Sequence, residues 1–414
     1  MKVLVVGSGG REHALAWHLA RGGDAVLVAP GNGGSPERAE VAVSDLDGLV
    51  ALARKERVDL TIVGPEAPLA AGLVDLFTES GLAVFGPSRA AARLEWSKAW
   101  TKDFFGRNGV PTARAEVVDA ESSARQAIAR AGLPVVLKAD GLASGKGVFV
   151  VHTAEEVEVA LRQLFDRLGE AASAVLVEEH LEGPELSVMA FADADRLEVM
   201  PPARDYKRLL DGDRGPNTGG MGGYSRPADV SRDTMEDIEA RILRPTLEGM
   251  LREGHPYRGV LYAGLMLTRD RPKVLEFNCR FGDPECQLIL PLLESNLAEV
   301  CTAVASAELG RISPRWSDQR TYGVVLATPG YPEHPVSGQT IEGLDALPAG
   351  VLVFHAGTRM ADDGHLVTAG GRVLTLVGSS RDAIYRAAAG VRFDGKQYRS
   401  DIGVEASASV GAGR

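Results

Sequence analysis

The run Val135-Val136-Leu137-Lys138 continues through Ala139-Asp140-Gly141-Leu142-Ala143-Ser144-Gly145-Lys146-Gly147 into Val148-Phe149-Val150-Val151. The β-branched-rich ends read as strands and the glycine-rich middle as the turn that joins them. Glycines let backbone N–H groups approach phosphate oxygens closely, and lysines neutralise the charge. The spacing is not that of a Walker A loop, which needs G-x-x-x-x-G-K-[ST] running from a strand into a helix. Here three residues separate Gly141 from Gly145, Gly147 follows Lys146, and a strand comes next. The pattern predicts a hairpin flap over a nucleotide, with Lys138 reaching the phosphates from the strand. An ordinary glycine-rich hairpin is the plain alternative, and it would be preferred if the segment stood alone.

A second cluster lies in Val274-Leu275-Glu276-Phe277-Asn278. Strand alternation would put Glu276 and Asn278 on one face and Leu275 and Phe277 on the other. A carboxylate beside an amide oxygen is a hard-oxygen pair suited to Mg²⁺ shared with phosphate. Arg280 follows on the same face if the strand continues, where it could clamp a carboxylate or a transferring phosphoryl group. The apolar strand Ala174–Val177 ends in Glu178-Glu179-His180-Leu181, with Glu185 beyond. Acids at a strand end can accept from an adenine amino group and from ribose hydroxyls, although exposed acids near turns are usually just solvated.

Gly7-Ser8-Gly9-Gly10-Arg11-Glu12-His13 sits between a strand and a helix. A dinucleotide fingerprint would place glycine at position 12 and an acid after the second strand, where this chain has Glu12 and Pro30-Gly31-Asn32-Gly33-Gly34. NAD and FAD are therefore not expected. A helix start with Gly9, Gly10 and Arg11 still suits a small phosphate, the alternative being a tight turn that packs helix on sheet. His13 and His18 are expected to pack beside this helix, and Lys98 and Lys102 to be solvated by default.

Elements that would position these residues follow a regular order. Lys2–Val6, Ala25–Ala29, Leu60–Val63 and Ala83–Phe85 read as strands, with helices at Glu12–Arg21, Leu46–Lys55 and Pro68–Ser80 between them. This predicts a parallel α/β sheet with ligands at the C-terminal ends of its strands. Helix Arg89–Asn108 leads to Gly109-Val110-Pro111, and residues 121–190 form a strand-rich flap subdomain with helices Ser122–Ala131 and Ala154–Leu168. Pro201–Gly223, dense in glycine and proline, reads as a substrate-covering loop. Helix Asp233–Glu253 precedes strands Gly259–Thr268 and Lys273–Asn278. Strands near Tyr322–Ala327, Val351–His355 and Arg372–Val377, with helix Arg381–Ala389, make a last unit. The tail Ala406–Arg414 is small and polar and is expected to be disordered.

A chain of 414 residues with a formal charge of −11 has room for several domains and argues against a broad nucleic-acid surface. The apolar start is too short for a signal segment or a membrane span. Cys279, Cys286 and Cys301 lack C-x-x-C spacing, so neither a disulfide framework nor zinc is indicated. A cytoplasmic protein is expected, with no nucleic-acid or membrane partner.

Taken in order, these motifs resemble the ATP-grasp superfamily and, within it, the phosphoribosylamine–glycine ligases of de novo purine synthesis. The match is carried by Gly10-Arg11-Glu12-His13-Ala14, by Thr61-Ile62-Val63-Gly64-Pro65-Glu66, and by Lys138 to Gly147. It continues in Gly215-Pro216-Asn217-Thr218-Gly219-Gly220-Met221-Gly222 and in Glu276-Phe277-Asn278-Cys279-Arg280-Phe281-Gly282-Asp283-Pro284-Glu285. The last unit adds Phe354-His355-Ala356-Gly357-Thr358, Gly370-Gly371-Arg372-Val373 and Asp401-Ile402-Gly403.

The resemblance implies a Rossmann-like domain over 1–102, an ATP-grasp domain over 103–318 and a small C-terminal α+β domain over 319–414. It implies ATP contacts from Lys98, Lys138, Gly141, Gly145, Lys146 and Gly147, a base-side hinge at Glu178, Glu179 and Leu181, and a ribose contact at Glu185. Glu276 and Asn278 would hold Mg²⁺ or Mn²⁺. Gly9, Gly10, Arg11, Glu12, Asp205, Lys207, Asn217 and Arg280 would bind the other substrates, with Lys138 and Arg280 catalytic. The implied reaction activates glycine with ATP as glycyl phosphate, which 5-phosphoribosylamine then attacks. A chain of this length is expected to carry that single activity, and a monomer is the expected state. Another ATP-grasp carboxylate–amine ligase or carboxylase is the alternative, and a non-catalytic nucleotide-binding regulator would have lost a metal ligand or phosphate lysine, which this chain has not.

Overall fold

The computed structural model describes residues 1–142, 147–167 and 174–404. The expectations for Gly145, Lys146 and the tail from Ala406 lie outside the described residues. Lys2–Gly7, Ala25–Pro30, Leu60–Val63 and Val84–Phe85 form an all-parallel sheet with Lys2–Gly7 between the second and third of them. Val3 and Val5 pack with Leu15 and Leu19 of helix Gly10–Arg21. Leu4 and Val6, one step out of phase, pack with Leu49 of Leu46–Glu56 and Phe77 of Leu73–Glu79. Burial on both faces is why this sequence shows apolar runs rather than alternation.

Besides Ala154–Leu168, which turns π-helical at Gln163–Arg167, three predicted helices are interrupted. Pro68–Ser80 is two helices, Glu66–Ala71 and Leu73–Glu79, because Gly72 turns the chain at a φ of 92°. Arg89–Asn108 is Arg93–Trp96 and Lys98–Asn108, parted at an extended Ser97 whose hydroxyl caps the Trp100 N–H. Asp233–Glu253 is Arg232–Ile238, a π-helical turn at Glu239–Leu243, and Arg244–Arg252.

Ala115–Val118, Val175–Glu179, Val135–Ala139 and Val148–Val151 pair antiparallel in that spatial order and enclose a core of their own. The long strands Glu185–Asp193 and Arg258–Leu267 pair near one edge of the central, nine-stranded sheet. Pro201–Gly223 is not a plain loop. Its Ala203–Asp205 joins this sheet, followed by Gly222–Ser225, while Arg208–Leu210 and Arg214–Asn217 pair as a separate hairpin. Gly222–Ser225 pairs with Tyr322–Ala327, so Arg372–Gly378 and Leu352–His355 continue the same sheet. Gly222, at a φ of 126°, permits this seam, since a Cβ there would lie 2.2 Å from the Gly323 carbonyl oxygen.

The last unit also meets the first helix. His355 donates its N–H to His13 Nδ1 at 3.0 Å, and His13 Nε2 lies 2.8 Å from the Gly34 carbonyl, so the proton sits on Nε2. Burial lowers the His13 pKa, and burial together with His13 lowers His355 to about 4. The unfolded histidine titrates near 6.5, roughly, so below that pH the unfolded chain binds a proton that the folded chain refuses. Stability should therefore fall as pH drops from about 6.5 to about 4. Urea midpoints measured across that window should slope less for His355→Gln than for the native chain; parallel slopes would refute this.

Candidate active site

A cleft of ≈ 1540 Å³ opens between the flap sheet, the central sheet and the Arg208–Asn217 hairpin. Helix Lys98–Asn108 and strand Val135–Ala139 supply cations to one wall. Lys138 Nζ lies 2.8 Å from Glu178 Oε2 and donates to the Leu275 carbonyl at 2.9 Å. Lys102 Nζ lies 3.0 Å from Glu178 Oε1, and Lys98 Nζ donates to the Gly141 carbonyl at 2.8 Å. Lys102 is thus not a solvated surface lysine. Its position one helical turn from Lys98 was the available signal, since residues four apart share a face. Burial lowers both ammonium pKa values against the attraction of Glu276 at Lys98 and of Glu178 at Lys102. All three cations line an open cleft, in which a polyphosphate could replace Glu178 as the partner of Lys102 and Lys138.

The facing wall is strand Pro272–Asn278, where alternation fails once. Gly264 pairs with Glu276 and Leu265 with Val274, so Leu275 is an extra, bulged residue. Val274 and Phe277 are the buried pair, rather than Leu275 and Phe277, and the bulge turns the Leu275 carbonyl toward Lys138. Glu276 and Asn278 both line the cleft. Burial opposes the Glu276 charge, but Lys207, Lys138, Lys98 and Arg280 outweigh it and hold the carboxyl below its usual range. Arg280 donates to Asn278 Oδ1 at 3.0 Å and pairs with Glu95 at 3.0 Å and Glu66 at 3.4 Å. Glu95 and Glu66 lie far away in sequence, and nothing local marked them as its partners.

Leu181, Glu185, Lys207 and Asn217 line the cleft beyond these walls. Glu179 also lines the cleft, but it pairs with Arg114 at 2.9 Å and Lys273 at 3.0 Å rather than with the lysines that hold Glu178. Burial opposes its charge, but those two cations bring its pKa to about 2. Lys207 Nζ pairs with Glu185 at 2.9 Å. Burial pushes the Asp205 carboxyl up to about 8 against Lys207, with Glu285, Glu185 and Glu276 adding to the rise. Glu285 itself accepts from Ser187 and Tyr262, each at 2.8 Å, a network the sequence did not reveal.

The glycine-rich turn of the first domain is not brought to the cleft. Glu12 Oε2 accepts the Gly9 N–H at 2.6 Å, and its other oxygen takes the Arg11 Nε–H. Arg11 also donates to the Phe281 carbonyl at 3.2 Å and is only 6% exposed. The anion held at this helix start is therefore the chain's own carboxylate, and Gly64 is needed beside it, since a Cβ there would lie 2.1 Å from Glu12 Oε1. Gly10 abuts Gln287 rather than an open anion site. Arg11→Ala is accordingly expected to destabilise the fold by ~3 kcal/mol, the low end for breaking a buried pair. Denaturant midpoints read this directly; an unchanged midpoint with a raised KM would restore the substrate-contact reading.

Residues 1–95, 96–286 and 321–405 match, respectively, the N domain, the ATP-grasp (A) domain and the C domain of phosphoribosylglycinamide synthetase. A phosphoribosylamine–glycine ligase from Xylella fastidiosa is 47% identical over 97% of this chain and 97% of its own length. The chain belongs to the phosphoribosylglycinamide synthetase family. A trifunctional purine biosynthetic protein from Gallus gallus is 48% identical over 100% of this chain, which spans 43% of that protein. Among solved structures, the phosphoribosylamine–glycine ligase from Thermotoga maritima superposes with a TM-score of 0.82 at 38% identity, covering 97% of this chain and 100% of that one. The biotin carboxylase domain of a Hydrogenobacter thermophilus carboxylase, at 17% identity and a TM-score of 0.73 over 96% of this chain and 91% of that one, shares the fold. The family's ATP-grasp domain thus spans both the lysine wall and the strand that carries Glu276 and Asn278.

Proposed function

We propose that this cleft joins glycine to 5-phosphoribosylamine at the expense of ATP, as a ligase of purine biosynthesis acting in the cytoplasm. The observation that carries the reading is the convergence of Lys98, Lys138, Lys207 and Arg280 on Glu276, within a chain of this family. In the first step a glycine carboxylate oxygen attacks the γ-phosphorus, the bond to the β-phosphate bridge breaks, and ADP leaves. The amine nitrogen of phosphoribosylamine then attacks the carbonyl carbon of glycyl phosphate. The C–N bond forms, the C–O bond to phosphate breaks, and the amine gives up a proton.

Positioning and charge neutralisation carry most of such phosphoryl transfer, which suits a site of lysines, arginine and backbone N–H groups. Lys98 and Lys138 bind the polyphosphate, with Gly141 and Gly147 beside it. Glu178, Glu179 and Leu181 border the base and Glu185 the ribose. Arg280, fixed by Glu95 and Glu66, steers the glycine carboxylate, with Asp205, Lys207 and Asn217 on the acceptor side. Among the described residues no group of three or more His, Cys, Asp or Glu is placed to hold an ion by itself. Glu276, kept ionised, and the Asn278 amide oxygen do suit Mg²⁺ or Mn²⁺ completed by phosphate oxygens and water. Such an ion, when bound, supplies neutralisation of phosphoryl charge.

The test is ADP release with each substrate omitted in turn. Release that needs glycine and phosphoribosylamine together supports the reading. Release driven by bicarbonate, or by another carboxylate with glycine absent, would favour the broader ATP-grasp alternative.

A further inference from the structure

The hairpin Arg208–Leu210/Arg214–Asn217 stands apart from the other sheets, and the residues of its second strand are exposed. A two-stranded hairpin is marginal by itself in water, so its position must be set from outside. What sets it is the far end of the chain. Arg399, 1% exposed, donates to the Arg208 carbonyl at 3.1 Å and pairs with Asp213 at 2.7 Å. The same guanidinium pairs with Asp401 at 2.6 Å and covers the Tyr206 ring at 4.6 Å. Asp401 accepts the Gly212 N–H at 2.8 Å, and Asp211 accepts the Ser400 N–H at 2.8 Å. All three residues of the hairpin tip are thereby taken by residues 399–401.

That segment is itself fixed. Tyr385 accepts from the Ile402 N–H at 3.0 Å and donates to the Arg399 carbonyl at 3.1 Å, and Arg381 donates to the Ile402 carbonyl at 2.8 Å. Arg399 and Asp401 also line the cleft, as Lys207 and Asn217 do.

We propose that Arg399 and Asp401 are positioning residues for the acceptor half of the reaction, clasping the hairpin so that Lys207 and Asn217 at its base keep their place. This deepens the ligase reading and rests on it. Small displacements of positioning groups can cost on the order of tenfold to a hundredfold. Arg399→Met should raise the KM for phosphoribosylamine on the order of tenfold while leaving the KM for ATP within about twofold. Arg399→Lys should recover part of that loss, and amide exchange over residues 208–217 should quicken in the Met variant. Asp213→Asn takes the charge from one clasp contact without emptying a buried position, so it serves if Arg399→Met does not fold, with the same split expected but smaller. A lowered melting temperature with both KM values unchanged, or an equal rise in both, would overturn the clasp. Should the native chain show no glycine-dependent ADP release, the ligase reading is what fails. Exchange over the hairpin then still decides the clasp, and unchanged exchange in the variants overturns it.

Discussion

Glu276→Ala is expected to lower turnover by about 10²–10³-fold, the usual cost of removing a group aimed at developing charge, while the protein stays folded. The carboxylate faces the cleft, whereas the strand is held by Val274 and Phe277, which the substitution leaves in place. Its loss leaves Lys207, Lys138, Lys98 and Arg280 without their shared counter-charge and removes one of the two side chains proposed to hold a divalent ion. Turnover should then need far more Mg²⁺, and a Glu276→Gln variant should fall between the two because it keeps an oxygen but not the charge. Steady-state rates over a Mg²⁺ titration, with a thermal melt as the folding control, decide this. A folded alanine variant with near-native turnover at limiting Mg²⁺ would remove Glu276 from the metal site.

Lys138→Met should act mainly on ATP. A charge-assisted hydrogen bond contributes ~1.5–3 kcal/mol, so kcat/KM for ATP should fall by about 10- to 100-fold at roughly 1.4 kcal/mol per tenfold. Glu178 keeps Lys102 as a partner, so the buried carboxylate is not stranded and the fold should survive. Lys102→Met should show the smaller effect, because Lys102 is also engaged by Thr112 at 2.7 Å, at the edge of the site. The KM for glycine should barely change in either variant. A Lys138→Met enzyme whose glycine KM rises while its ATP KM stands still would contradict the phosphate assignment.

What could be read from the chain, and what could not, divides by the range of the interactions involved. The parallel first sheet was legible because Leu4, Val5 and Val6 bury both faces, and such strands leave an unbroken apolar run. The strand pair Val135–Ala139/Val148–Val151 and the placement of Glu276 and Asn278 in the cleft were legible because each is written in a few consecutive residues. Breaks at Gly72 and Ser97 were missed because apolar periodicity runs through them, and a single residue's φ is invisible to a pattern of burial. The Leu275 bulge was missed because alternation assumes an even ladder, whereas the extra residue is defined only against Gly264 and Leu265 on the neighbouring strand. Arg11 looked like an anion receptor because a glycine-rich helix start is one. The turn already holds Glu12, and a neighbouring acid at that spacing could have been read as the occupant. Glu95, Glu66 and Arg399 meet their partners only through tertiary folding, where sequence spacing carries no signal.

The two small parts that flank the cleft differ in whether they could be transplanted. The flap sheet closes its own hydrogen bonds and its own core, so a homologous flap could be grafted between its neighbours with the remaining sheets undisturbed. The C-terminal unit could not be lifted out in the same way, because Tyr322–Ala327 is the lateral partner of Gly222–Ser225. Cutting there would bare a strand edge in the middle of a nine-stranded sheet, the kind of surface that recruits other chains. Mixing halves from different homologues should therefore yield soluble chimeras when the joints fall at the flap, and aggregates when they fall at this seam.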